Sequence, residues 1–93
     1  MLKVSKILKI DSSFITCEFN NGIVRTIDVG PIIKKHSNLE GIEKLKNAET
    51  FSKVTIGEFG EIVWDKIITT TYQGEKILWD YDISPEFIFE NAI

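Results

Sequence analysis

The segment "FITCEFNNGIVRTIDV", residues 14–29, constrains this chain more than any other stretch. Two runs rich in β-branched and aromatic residues flank Asn20-Asn21-Gly22. Such side chains fit a pleated, half-buried surface, and Asn-Gly tolerates the positive φ angles of a type I′ turn. The segment therefore reads as a β-hairpin. Ahead of it, Val4, Leu8 and Ile10 share one face at period two, with Lys6 the exception, and Asp11-Ser12-Ser13 supplies a turn. The first third of the chain is predicted to be a three-stranded antiparallel meander.

Gly30-Pro31 closes that sheet. Proline is tolerated in a first helical turn, where its missing N–H costs nothing, so "PIIKKHS" reads as a short helix. Leu39, Ile42 and Leu45 recur at helix-like spacing, Glu40 and Lys44 form an i,i+4 pair, and Gly41 argues against one long helix. Asn47 is the expected N-cap of a further turn through "AETFSK". Strand character returns at Val54–Gly57 and along "EIVWDKIITTTY", and Gln73-Gly74 turns the chain back through "EKILWDYDI". Ser84, Pro85 and Glu86 read as N-cap, N1 and N2 of a closing helix anchored by Phe87, Ile88 and Phe89. The fold class expected is α+β, in one domain over residues 1–93: an antiparallel β meander, short central helices, a further β hairpin and a capped C-terminal helix.

Composition narrows the function more than it names it. The chain is 43% apolar and 27% charged, which suits a packed domain, and its formal net charge is −3. Phosphate-backbone binding draws on clustered Lys and Arg, so direct nucleic-acid binding is not expected. A stripe of Lys34, Lys35, Lys44, Lys46 and Lys53 would form only if the middle helices aligned them. No apolar run approaches the roughly 20 residues of a membrane helix, and Lys3, Lys6 and Lys9 interrupt the N-terminus, so no membrane association and a cytoplasmic location are expected.

For chemistry the chain offers little. Cys17 and His36 stand alone, Cys17 on the strand face of Ile15 and Phe19, where a small buried hydrophobe is expected, and His36 at what reads as a solvated helix end. Asp80, Asp82 and Glu86 lack the spacing of a calcium loop and are accounted for by the helix start. No catalytic residue, metal ligand or cofactor is assigned, and the chain is expected not to be an enzyme. The last third concentrates Trp64, Tyr72, Trp79 and Tyr81 beside Asp80 and Asp82. These six residues are the candidate partner-binding set, since exposed Trp and Tyr beside acids suit a protein interface. The competing reading makes the aromatics the core of the second sheet.

The order of elements resembles the small bacterial domain-of-unknown-function family 2442. Asp28-Val29-Gly30-Pro31, then Leu45, Asn47, Phe51 and Val54, then Gly60, Ile62 and Trp64, and finally Asp82, Ile83, Pro85 and the Phe87–Phe89 run resemble its four motifs. The chain departs from that pattern where "DKIITTTYQGEKILWDY" separates Trp64 from the closing motif, an insertion that reads as an extended hairpin or a lengthened edge strand. The resemblance implies an α+β interaction protein, the antitoxin-like member of a two-protein pair, and the acidic charge suits a small basic partner. The function expected is thus a non-enzymatic module that binds a small partner protein or pairs with itself. A regulator acting on nucleic acid through a DNA-binding partner is the alternative, and a small enzyme the third.

Overall fold

The computed structural model describes residues 1–93. It is α+β, with two three-stranded antiparallel sheets and short helices. The first sheet has strands β1 (Val4–Asp11), β2 (Phe14–Phe19) and β3 (Val24–Asp28) in the order β1-β2-β3. In β2 the alternation is regular: Ile15, Cys17 and Phe19 are buried, and the residues between them are half-buried. The β2–β3 turn is not the two-residue type I′ turn expected from Asn21-Gly22. Only Gly22 has a positive φ, its N–H bonds to the Phe19 carbonyl, and the Phe19 N–H bonds to the Ile23 carbonyl. That is a three-residue loop, a type I turn followed by a left-handed glycine.

Strand β1 departs from period two. Register shifts fall between Val4 and Lys6 and again between Ile7 and Lys9, each letting β1 advance one residue further than β2. The two bulges re-phase the strand so that Val4, Ile7 and Ile10 turn toward the core at intervals of three. Leu8, expected on the inner face, is 49% exposed.

Helix α1 (Gly30–Lys35) follows Asp28, whose Oδ1 accepts from the Ser13 hydroxyl at 2.6 Å and the Gly30 N–H at 3.0 Å. The apolar triplet at residues 39, 42 and 45 resolves into a turn and a 3₁₀ helix (Ile42–Lys46), whose three-residue period matches that spacing. Asn47 caps α2 (Ala48–Phe51), accepting the Thr50 N–H at 3.0 Å.

The second sheet runs β4 (Thr55–Ile56), β5 (Ile62–Tyr72) and β6 (Glu75–Ile83), and Ser84 caps the closing helix α3 (Pro85–Asn91) through the Phe87 N–H. Within α3, Ile88 is buried and Phe89 packs edge-on against Phe19 at 5.3 Å, whereas Phe87, expected to be an anchor, is exposed. Residues of both sheets and of every helix enter one cluster of 18 buried side chains. No helix is long and apolar enough to cross a membrane.

Candidate functional site

Strands β5 and β6 set the geometry of the candidate site. Trp64 pairs with Tyr81 and Ile68 with Trp79, so four residues of advance on β5 match two on β6. The surplus forms a bulge in which Lys66 adopts a left-handed φ of 50°. A lysine there is strained, and the Asp80 carboxylate offsets part of the cost by accepting the Lys66 N–H at 2.9 Å. Below the bulge, Ile62 and Trp64 face the core, and Ile67 and Ile68 still reach it.

Above the bulge the hairpin leaves the body. Its two strands continue in register, Thr69 with Leu78, Thr70 with Ile77, Thr71 with Lys76 and Tyr72 with Glu75. Gln73 and Gly74 close it with φ of 48° and 81°, so the type I′ turn expected at Asn21-Gly22 occurs here instead. Strand β4 pairs only with Ile62 and Val63, and therefore does not cover this arm. From Thr70 to Asp80 every residue is exposed. The molecule accordingly measures 46 Å along its longest axis against 26 and 21 Å across.

The six candidate residues separate along this hairpin. Trp64 is 1% exposed; its indole N–H donates to the Phe51 carbonyl at 2.8 Å, and its ring packs against Phe51 and Tyr81. Tyr81 is 8% exposed, and its hydroxyl meets His36 Nδ1 at 2.7 Å. Both follow the core reading and leave the surface set: the bulge turns them inward on the covered part of the sheet. Tyr72 and Trp79 are 59% and 54% exposed, on the uncovered part. Asp80 secures the bulge at the root of the arm, and Asp82 is exposed opposite Val63, below it.

Ile77 and Leu78, which the sequence reading passed over, are also exposed on the arm. Pleating puts Tyr72, Ile77 and Trp79 on one face with Thr70, whose hydroxyl accepts the Trp79 indole N–H at 2.8 Å, and Leu78 on the other with Lys76. The signal in the sequence was one of length: the only strand available to cover this long hairpin is the short "VTIG" segment. The resulting surface is a narrow, two-sided ribbon with four large apolar side chains and open backbone edges.

Elsewhere the polar chemistry is absorbed by the fold. Cys17 is fully buried and burial pushes its thiol up to about 11, which leaves it protonated at neutral pH. His36 is half-buried against Tyr81 rather than a solvated helix end, because the aromatic packing of the second sheet reaches α1's C-terminus. Burial, followed by the Asp82 charge, raises the Tyr81 phenol above its ordinary range. No three or more His, Cys, Asp or Glu side chains are grouped to hold a metal ion. A cleft of about 690 Å³ lies between the β1–β2 turn, α1 and α2, floored by Ile33, Leu45 and Phe51 and rimmed by Lys34, Lys46 and Glu43. Of the five lysines considered for a basic stripe, two share that rim, and Glu43 stands on it with them.

Most of the residues behind the family resemblance are architectural, with Asp82 and Phe87 exposed. Asn47 caps α2, Asp28 fastens α1, and Leu45, Phe51, Val54, Ile62, Trp64, Ile83 and Pro85 are buried. No family model matches the chain, no curated protein is similar to it, and no solved structure matches it.

Proposed function

We propose that this chain is a non-enzymatic protein-interaction module whose contact surface is the β5–β6 arm. The observation that carries the reading is the exposure of Tyr72, Ile77, Leu78 and Trp79 together on a ribbon that no other part of the chain covers. A two-stranded hairpin exposed on both faces is marginal by itself, and aromatic side chains anchored in a partner are the usual source of interface energy. The arm is also prepared for such a partner. The type I′ turn, the Asp80–Lys66 contact and the Trp79–Thr70 hydrogen bond hold its backbone and its largest side chain in place before binding. Its open edge offers backbone groups for strand addition. Support for the non-enzymatic half comes from the protonated, buried Cys17 and from His36, whose Nδ1 is engaged by Tyr81.

The occupant of the arm is a small partner protein or a second copy of the chain; the antitoxin-like pairing and the regulator acting through a DNA-binding partner are special cases of the first. The test is affinity purification of the tagged chain at moderate salt, beside a Trp79→Ser, Ile77→Ser variant with an unchanged circular-dichroism spectrum. The expected result is one stoichiometric protein, or a second copy, retained by the native arm and lost from the variant. Equal recovery from both would remove the arm as the contact surface.

A further inference from the structure

The edge of β6 carries a pattern that selects one kind of partner. We infer that β6 pairs antiparallel with β6 of a second copy, about a two-fold axis through Leu78, joining two three-stranded sheets into one of six strands. This rests on the reading of the arm as the contact surface.

The backbone comes first. Tyr72 and Glu75 flank a two-residue turn, and in such a hairpin the flanking residues form a hydrogen-bonded pair. Alternation then makes Thr70–Ile77 and Ile68–Trp79 hydrogen-bonded pairs and sends the backbone groups of residues 69 and 71 outward on β5. The same alternation sends those of residues 76, 78 and 80 outward on β6. The Thr69 N–H does point away from β6, donating to the Glu40 carbonyl at 2.8 Å. That bond occupies the β5 edge at the root of the arm, whereas none of the loop or cap hydrogen bonds of the chain involves residues 75–80. The β6 edge is open along this whole length.

A two-fold antiparallel pairing has few allowed centres, and the side chains discriminate among them. Centred on Leu78, the pairing sets Leu78 against itself and Ile77 against Trp79 of the second copy. Lys76 falls opposite Asp80 of the second copy, twice by symmetry. Ile77 meets Trp79 on one face, and on the other the Leu78 contact is flanked by two opposite-charge pairs, both kinds of cross-strand pair that stabilise a sheet. Centring on Lys76 sets two lysines together. A centre on Ile77 places Glu75 opposite Trp79, and one on Trp79 places Leu78 opposite Asp80. Only the Leu78 register matches both faces. Asp80 keeps its contact to the Lys66 N–H through Oδ1, which leaves its second oxygen for Lys76 of the other copy.

Charge reversal tests the register directly. Lys76→Glu faces Asp80, and Asp80→Lys faces Lys76, so each variant alone meets two like-charge pairs. Mixed together, the two restore both ion pairs in a heterodimer. In sedimentation over a concentration series, the native chain is expected to dimerise, and each variant to dimerise at least about tenfold more weakly. An equimolar mixture is expected to recover native affinity. Because Asp80→Lys also removes the acceptor at the bulge, Leu78→Cys supplies an independent readout. On oxidation it is expected to form a covalent dimer, since residue 78 faces itself at about 5.5 Å between Cα atoms, within disulfide reach. Ile77→Cys, offset by two residues from its own copy, is expected not to cross-link, and buried Cys17 stays out of the reaction.

A native chain that sediments as a monomer at about 1 mM, with no cross-link at position 78, overturns the self-pairing. The arm then stands or falls on the affinity purification alone. A dimer that survives both charge reversals and does not cross-link uses another face, which overturns the register; its survival of Trp79→Ser, Ile77→Ser as well would overturn the arm reading with it.

Discussion

Replacing Gly41 by alanine should be among the most costly single-methyl changes in this chain. Gly41 precedes the 3₁₀ helix with φ of 102°, a conformation that costs an L-residue about 1–2 kcal/mol. A Cβ there would also lie well inside contact distance of the Ile67 carbonyl oxygen. That oxygen belongs to the bulged part of β5, so the loop must move away from the strand. The neighbouring Glu40 carbonyl, which accepts the Thr69 N–H at 2.8 Å, moves with it, and losing that bond costs about 1 kcal/mol more. Overpacking against the strand adds about 1–3 kcal/mol, so the sum is about 3–6 kcal/mol, a large share of the ~5–15 kcal/mol that stabilises a domain of this kind. Gly22 is the control. Its φ of 83° imposes the same strain, but nothing lies within 4 Å of the position a Cβ would take, so Gly22→Ala should cost only about 1–2 kcal/mol. Urea denaturation reads both changes. With a slope of about 1.5 kcal/mol per molar, the midpoint should fall by roughly 2–4 M for Gly41→Ala and by about 1 M for Gly22→Ala. Equal shifts would refute the reasoning, because they would mean that the loop carrying Glu40 does not press on β5.

Three further outcomes follow from the same geometry. Acrylamide should quench Trp79 and spare Trp64; fluorescence of Trp64→Phe and Trp79→Phe variants separates the two, and strong protection of both would mean the arm is covered. The stability that rests on keeping these two groups neutral should be fully present below pH 9 and lost as pH rises toward 11, because the folded state raises the Cys17 thiol from 9.0 to about 11 and raises the Tyr81 phenol in the same direction. Urea midpoints measured between pH 8 and 11 check the sign, and Cys17→Ala should flatten part of the fall. Ser84→Ala removes the acceptor of the Phe87 N–H and should cost about 1 kcal/mol in the same assay, with α3 amides exchanging faster.

What was legible in the sequence was what is decided locally. The Ser84 cap, the Asn47 cap and the Gln73-Gly74 reversal each depend on a few consecutive residues, and each forms where its residues stand. What was not legible depends on residues far away. Trp64 and Trp79 occupy the same local context, a hydrophobic residue before and an aspartate after, yet one is 1% and the other 54% exposed. The difference is set by where they fall along a hairpin of which β4 covers only the base. The bulges of β1 are equally non-local: its residues read as a period-two strand, and only their pairing with β2 produces the period of three. His36 and Tyr81 are 45 residues apart, and nothing around either announces the other.

The bulges of β1 bear finally on how many copies an assembly of this chain can hold. A sheet that offers two open edges can grow without limit, and one that offers a single edge stops at a pair. Here β1 is kinked twice along its outer edge, with lysines at positions 6 and 9. On the far side of the first sheet, the Thr26 carbonyl of β3 takes the Ile93 N–H at 2.9 Å. In the second sheet β4 is two residues long and lies against β1. On β5, Glu40 takes the Thr69 N–H and leaves only the Thr71 position of that edge free, so β6 alone keeps an uncovered edge several residues long. Whatever strand it accepts, the addition leaves no second site on the same molecule, so the product is a closed complex of fixed stoichiometry rather than a filament.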